Sequence, residues 1–224
     1  LTMYFVLFIS IALLSWAVSA LLDHRFKKYA KVYLPLTGHE VAEKMLRDNG
    51  IYDVRVTCTP GHLTDHYDPR NKTVNLSEAV YSSNNVAAAA VAAHECGHAV
   101  QHAFSYAPLN MRSALVPVVN FASQWVTWIL LGGILMVETF PQLLLVGIIL
   151  YALTTLFAFI TLPVEINASR RAIEWLEQSG ITDYQTTPMA SSALRSAAYT
   201  YVVAALSSLG TLIYYILIFT SRCD

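Results

Sequence analysis

The chain has 224 residues, 55% of them hydrophobic and 13% charged, with a formal net charge of −1. Soluble globular domains carry about 25% charged residues, so this composition, with a mean hydropathy of +0.47, excludes an ordinary soluble domain and points to a membrane protein. A near-neutral balance offers no basic field for nucleic acid. The cysteines Cys58, Cys96 and Cys223 show no C-x-x-C spacing and form no disulfide framework.

Residues 2–22 are apolar apart from Thr2, Ser10, Ser15 and Ser19, long enough to cross a bilayer core. No Lys or Arg precedes them and no cleavage site follows, so they read as a transmembrane helix rather than a signal peptide. The basic cluster Arg25, Lys27, Lys28, Lys31 comes next. Residues 37–112 read as a polar insertion. Thr37 with Glu40 is a capping-box pattern opening a helix that stops near Gly50. Val54, Val56 and Cys58 alternate with polar neighbours as in a strand, and a second short strand falls near 73–76. The segment between them, 62–69, including His62, reads as a polar loop, and Ser82-Ser83-Asn84-Asn85 supplies a loop and an N-cap for the next helix.

That helix carries His94-Glu95-Cys96-Gly97-His98 in an alanine-rich run. Residues four apart on a helix lie roughly 40° apart around the axis, so His94 and His98 project side by side and can grip one ion. Zinc accepts imidazole nitrogen and, in catalytic sites, keeps three protein ligands plus a water. Glu95, next to the first ligand, suits the general base of the H-E-x-x-H arrangement. Burying His, Glu and His on such a helix is costly unless something pairs them. Cys96 points off the ligand face and reads as packing.

After residue 112 the chain turns apolar again, with spans at about 116–137, 143–162 and 198–219. Pro163-Val164-Glu165 is expected to open a separate charged helix ending near Gly180, and a polar stretch to Arg195 leads into the last span. Four spans put the long loops 23–115 and 163–197 on one side. Every Lys and Arg except Arg222 lies in those two loops, which places them in the cytoplasm. The fold class expected is therefore mainly α: a four-helix transmembrane protein with a cytoplasmic, zincin-like catalytic region of helices and a small β component. The whole chain, 1–224, reads as a single membrane-integrated domain.

The third zinc ligand must come from elsewhere. A His ten residues after His94 would suit several families, but that position is Phe104, and the later spans contain no Asp. A Glu from a second helix remains, and Glu165 is the natural candidate. Ala168, Ser169 and Ala172 lie on or beside its face and would allow a close helix approach. Glu174 and Glu177 read as solvated helix charges.

With these residues in hand, the chain resembles the YugP-like family of neutral zinc metallopeptidases of bacterial membranes. The resemblance rests on Thr37-Gly38, residues 61–69, Val91 to His102, Thr161 to Glu165 with Asn167-Ala168-Ser169, and Thr200-Tyr201-Val202. It implies a zinc-dependent, membrane-embedded peptidase with gluzincin-type ligands but does not supply a substrate; the partners expected are a peptide or membrane-protein substrate and the lipid bilayer. One departure matters: gluzincins often place an Asp four residues after the third ligand to orient a zinc-bound His, and here that position is Ser169.

Further expectations concern the surroundings. His102 lies about 12 Å along the helix from His94 and is expected not to bind the metal directly. Tyr201 or Tyr199 would stabilise an oxyanion, the alternative being an interfacial anchor. Asp65, or else Asp68, would accept from a zinc-bound His, with His66 or Tyr67 facing substrate; the alternative is an Asx turn. Two other functions remain open: a non-proteolytic zinc protein binding hydrophobic segments, and a metal-handling membrane protein.

Overall fold

The computed structural model describes residues 2–61 and 63–223, and the side chains of 5–61 and 63–221. His62 lies outside the described residues. In chain order the elements are α1 (Thr2–Tyr29), α2 (Gly38–Asp48), β1 (Arg55–Thr59), β2 (His66–Asp68), β3 (Thr73–Ser77), α3 (Glu78–Tyr81), α4 (Val86–Ala103), α5 (Ala107–Leu135), α6 (Pro141–Gln178) and α7 (Thr186–Cys223). The fold is mainly α with a small sheet. Four helices are long and apolar enough to cross a membrane: Phe5–Tyr29, Ala107–Leu135, Pro141–Gln178 and Thr186–Ser221.

By internal packing the chain divides into two compact units, one of Leu1–Ala17, Asn110–Leu162 and Thr200–Asp224, the other of Val18–Leu109 and Pro163–Tyr199. In the first, Val126, Leu130, Val137, Leu144 and Ile148 form the core. Gly133 allows α5 and α6 to meet closely: a Cβ there would lie 2.6 Å from the Leu144 Cα. Thr155 Oγ1 and Ser208 Oγ share a hydrogen bond of 2.6 Å between α6 and α7.

The second unit is built on α4. Asn85 caps it, its side-chain oxygen accepting from the Ala88 amide at 2.9 Å. Alanines and valines on every side leave most of the helix buried. α2 packs along it, started by the full Thr37–Glu40 capping box. The sheet has the order β1-β3-β2. β1 runs parallel to β3, as a crossover through intervening chain requires, and β2 runs antiparallel to β3. β3 is buried on both faces, as a central strand should be.

Four features differ from the sequence reading. Residues 66–68 form β2 inside the expected loop, because three residues carry no readable alternation and gain strand form only by pairing with β3. α5 begins at Ala107 and α7 at Thr186, ahead of their apolar runs. The turn before α7 is closed by Asp183, whose Oδ1 accepts from the amides of Gln185 and Thr186 at 2.9 and 2.8 Å. Those hydrogen bonds, the Thr186 amide first, hold the Asp183 carboxyl below its ordinary range. Finally, residues 163–178 are not a separate helix: α6 runs unbroken from Pro141 to Gln178 with Pro163 inside it. Proline removes one backbone donor but does not oblige a helix to end.

α4 and α6 meet at Gly97. A Cβ at that position would lie 2.6 Å from the Ala168 carbonyl oxygen and 3.1 Å from its carbonyl carbon and Cα. The obstacle is backbone and cannot swing aside. Gly97→Ala should therefore push the helices apart and cost about 1–3 kcal/mol, seen as a lower melting temperature, despite alanine's better helix propensity. A variant as stable as wild type would show that the contact tolerates a methyl group.

Candidate metal centre

Three ligand-type atoms converge where α4 faces α6. Glu165 Oε2 lies 3.3 Å from His94 Nε2 and 3.5 Å from His98 Nε2. The ligand atoms of His94, His98 and Glu165 all lie within 4.8 Å of one another. Ligands at zinc distances of about 2.0–2.1 Å around a tetrahedral centre stand about 3.3–3.4 Å apart, so the two imidazole–carboxylate separations fit one ion. The imidazole rings meet edge to face, 85° apart, so that both Nε2 atoms turn to the carboxylate. The side chains are largely shielded, at 15%, 10% and 4% exposure for His94, His98 and Glu165.

Each imidazole is held from behind. His94 Nδ1 is 3.1 Å from Ser169 Oγ, the residue one helical turn beyond Glu165 on α6. His98 Nδ1 is 3.1 Å from Gln101 Oε1. Gln101 is fully buried, and its own Nε2 donates to the Val164 carbonyl at 2.8 Å and to Asn167 Oδ1 at 3.0 Å. Both acceptors are oxygens, so the amide orientation is fixed and Gln101 Oε1 is left to accept. His98 must then carry its proton on Nδ1, which leaves the Nε2 lone pair facing Glu165. Asn167 Oδ1 also accepts from Arg171 Nε at 2.8 Å. Sequence reading gives no role to Gln101 or Asn167. The available signal was a glutamine three residues past His98, on the same helix face.

The electrostatics favour a cation. Burial works against a charged His98, but the hydrogen-bonding Glu165 carboxylate, together with Glu95 and Gln101, outweighs it and raises the imidazole pKa. Glu95 is buried on α4 directly after His94. Cys96 is fully buried, 3.5 Å from the Ala42 carbonyl; burial, and then Glu95, push its thiol well above the ordinary range, so it is packing rather than a ligand.

The other sequence candidates go elsewhere. Asp65 does not reach the histidines: its Oδ1 accepts from the Ser77 amide at 2.7 Å, and its carboxylate accepts from Ser77 Oγ at 3.0 Å. Asp68 accepts from the Arg70 amide at 2.8 Å and from Asn71 Nδ2 at 2.7 Å, the Asx turn kept as the alternative. Those bonds, the Arg70 amide first, hold its carboxyl below the ordinary range. His66 bonds the Thr64 carbonyl at 2.8 Å and Asn75 Nδ2 at 3.1 Å. His102 Nδ1 shares a 2.8 Å hydrogen bond with the Tyr67 hydroxyl and takes no part in the three-ligand group. Burial, and then Asp53 and Asp68, raise the Tyr67 pKa to about 12, which keeps that hydroxyl protonated. Tyr199 lines a cavity whose walls include none of His94, Glu95, His98 and Glu165. Tyr201, 39% exposed, belongs to the other compact unit.

Four helices long and apolar enough to cross a membrane thus accompany a candidate metal cluster in which the H-E-x-x-H helix α4 supplies His94 and His98 and α6 supplies Glu165. Comparison with known sequences gives the family: the profile of the family described as "Putative neutral zinc metallopeptidase" matches residues 4–220, and the chain belongs to it. It is 44% identical over 201 residues to the "Putative membrane protease YugP" of Bacillus subtilis (strain 168), covering 89% of this chain and 88% of that protein. No solved structure matches.

Two substitutions separate the roles of the polar groups around the centre. Gln101→Leu should weaken zinc binding by about 10–100-fold, read by chelator competition, because His98 loses its orienting acceptor. Asp65→Ala should leave zinc affinity unchanged and instead cost about 0.5–2 kcal/mol of stability, the loss of a cap on the Ser77 amide. The reverse pattern would return Asp65 to the metal centre.

Proposed function

We propose that this protein is a membrane-integral zinc endopeptidase in which His94, His98 and Glu165 hold the metal and Glu95 is the general base. The observation that carries the reading is the convergence of ligand atoms of His94, His98 and Glu165 within 4.8 Å of one another, with Glu95 directly after His94 on α4. When bound, zinc polarises the scissile carbonyl and lowers the pKa of water. Ser169 and Gln101 hold the two imidazoles in the ring orientation that turns Nε2 to the centre. Glu95 takes the proton of the attacking water and delivers it to the leaving amine. Tyr201 is the proposed donor to the oxyanion.

Substrates are peptides or membrane-protein segments. The catalytic loops 23–115 and 163–197 face the cytoplasm, supported by the confinement of every Lys and Arg except Arg222 to them.

Glu95→Gln should keep stoichiometric zinc and lower peptide-bond hydrolysis by about 100-fold or more, measured by cleavage-site profiling of membrane fractions. A Glu95→Gln enzyme cleaving at the wild-type rate would remove the general-base role, and identical profiles for wild type and variant would favour a zinc protein that binds without cutting. His94→Ala and Glu165→Ala should each lose bound zinc by elemental analysis; full retention after Glu165→Ala would strike it from the ligand set. Tyr201→Phe should lower kcat by about 100-fold, and an unchanged kcat would make Tyr201 an interfacial anchor.

A further inference from the structure

A second polar site lies away from the metal centre, in the same compact unit. It is a cavity of about 410 Å³ lined by Arg25 of α1 and by Thr187, Ser191, Ser192, Arg195 and Tyr199 of α7, among others. That volume falls within the roughly 300–1,000 Å³ usual for small-ligand sites. Nothing in the peptidase chemistry above uses it.

The lining has a consistent chemistry. Arg25 is half-buried and gives one N–H to the Ser192 carbonyl at 3.0 Å, out of five donors on a guanidinium. Arg195 is exposed. Among the described residues, no carboxylate forms an ion pair with either arginine. The neighbouring Lys27, by contrast, pairs with Asp23 at 2.7 Å. Ser192 Oγ accepts from the buried Tyr29 hydroxyl at 3.1 Å, which frees its own proton to donate. Thr187 gives its hydroxyl proton to Thr182 Oγ1 at 2.8 Å, but two guanidinium groups beside the hydroxyls of Ser191, Ser192 and Tyr199 still form a donor-rich wall suited to a phosphate oxyanion.

The position along the chain identifies the source of that phosphate. Arg25 follows closely on the apolar run that ends at Leu22, and Arg195 just precedes the one that begins at Ala198. Tyr199 stands at the head of that second run. Arginines at the ends of two apolar helix segments, with a tyrosine between donor wall and apolar run, match the depth of the headgroup layer. We propose that this cavity binds the phosphodiester of an anionic phospholipid headgroup, held between Arg25 and Arg195.

The test uses the delipidated full-length protein in neutral detergent, with lipid retention read by native mass spectrometry. Phosphatidylglycerol should be retained in preference to phosphatidylcholine. Arg195→Gln should weaken phosphatidylglycerol binding about fivefold, and Arg25→Gln with Arg195→Gln further. Lys27→Gln with Lys28→Gln, in the same basic cluster but outside the cavity, should leave it unchanged. Inorganic phosphate should not displace the lipid. Arg195 is exposed, so its variant remains informative even if loss of the Arg25–Ser192 bond destabilises the double variant; thermal melting checks both. Equal retention of the two lipids would overturn the proposal, as would an Arg195→Gln protein binding like wild type. So would a lysine variant as impaired as the arginine one, which would mean diffuse charge, or displacement by inorganic phosphate, which would mean a free-phosphate site.

Discussion

The candidate metal centre depends on one contact, the approach of α4 to α6 at Gly97 and Gln101. Gly97 lets the two backbones meet where any side chain would strike the Ala168 carbonyl. One turn further on, Gln101 crosses the same seam and donates to the Val164 carbonyl and to Asn167. Val164 immediately precedes Glu165, so the amide that aligns His98 also anchors the backbone that presents the carboxylate. Candidate ligands from two helices are thereby locked to each other by a fully buried side chain. A hydrogen bond broken here would leave buried polar groups unpaired on both helices, at about 1–3 kcal/mol for each group.

Much of this centre is legible in the sequence because it obeys short-range rules. The spacing of His94 and His98 places them on one face by helix geometry alone. The Thr37–Glu40 box and the Asn85 cap are local as well, and both stand in the structure as read. Glu165 is reached by elimination and by the small residues beside it, Ala168 and Ala172, both fully buried. What is not legible depends on which helix crosses which. Gln101 reads as one more polar residue near a helix end until α6 is laid against it. Asp65 stands in a loop dense with polar groups, and only the pairing of β2 with β3 reveals that its carboxylate goes to Ser77. The continuity of α6 through Pro163 is hidden for a related reason: proline is a strong local signal for a boundary, and local signals yield when a helix is held by packing along its length.

The same logic explains why the sheet is small and yet well placed. β3 is its central strand and is buried on both faces, and α4 packs against β2 and β3. β2 is an edge strand, and its Tyr67 bonds His102 on α4. That bond ties the edge of the sheet to the residue that follows Gln101. Two anchors, Gln101 toward α6 and His102 toward β2, thus leave α4 little freedom to rotate, and a rotation of α4 would carry His94 and His98 away from Glu165 together.

Charge accounts for the neutral groups behind the histidines. The centre already buries two carboxylates, Glu95 and Glu165. A carboxylate in place of Ser169 would orient His94 more strongly, but it would add a third buried negative charge to a shielded site, where uncompensated charge is expensive. Ser169 and Gln101 orient the imidazoles without adding charge. Serine at 169, where gluzincins more often place an aspartate, is therefore consistent with the rest of the site, whose buried carboxylates are Glu95 and Glu165.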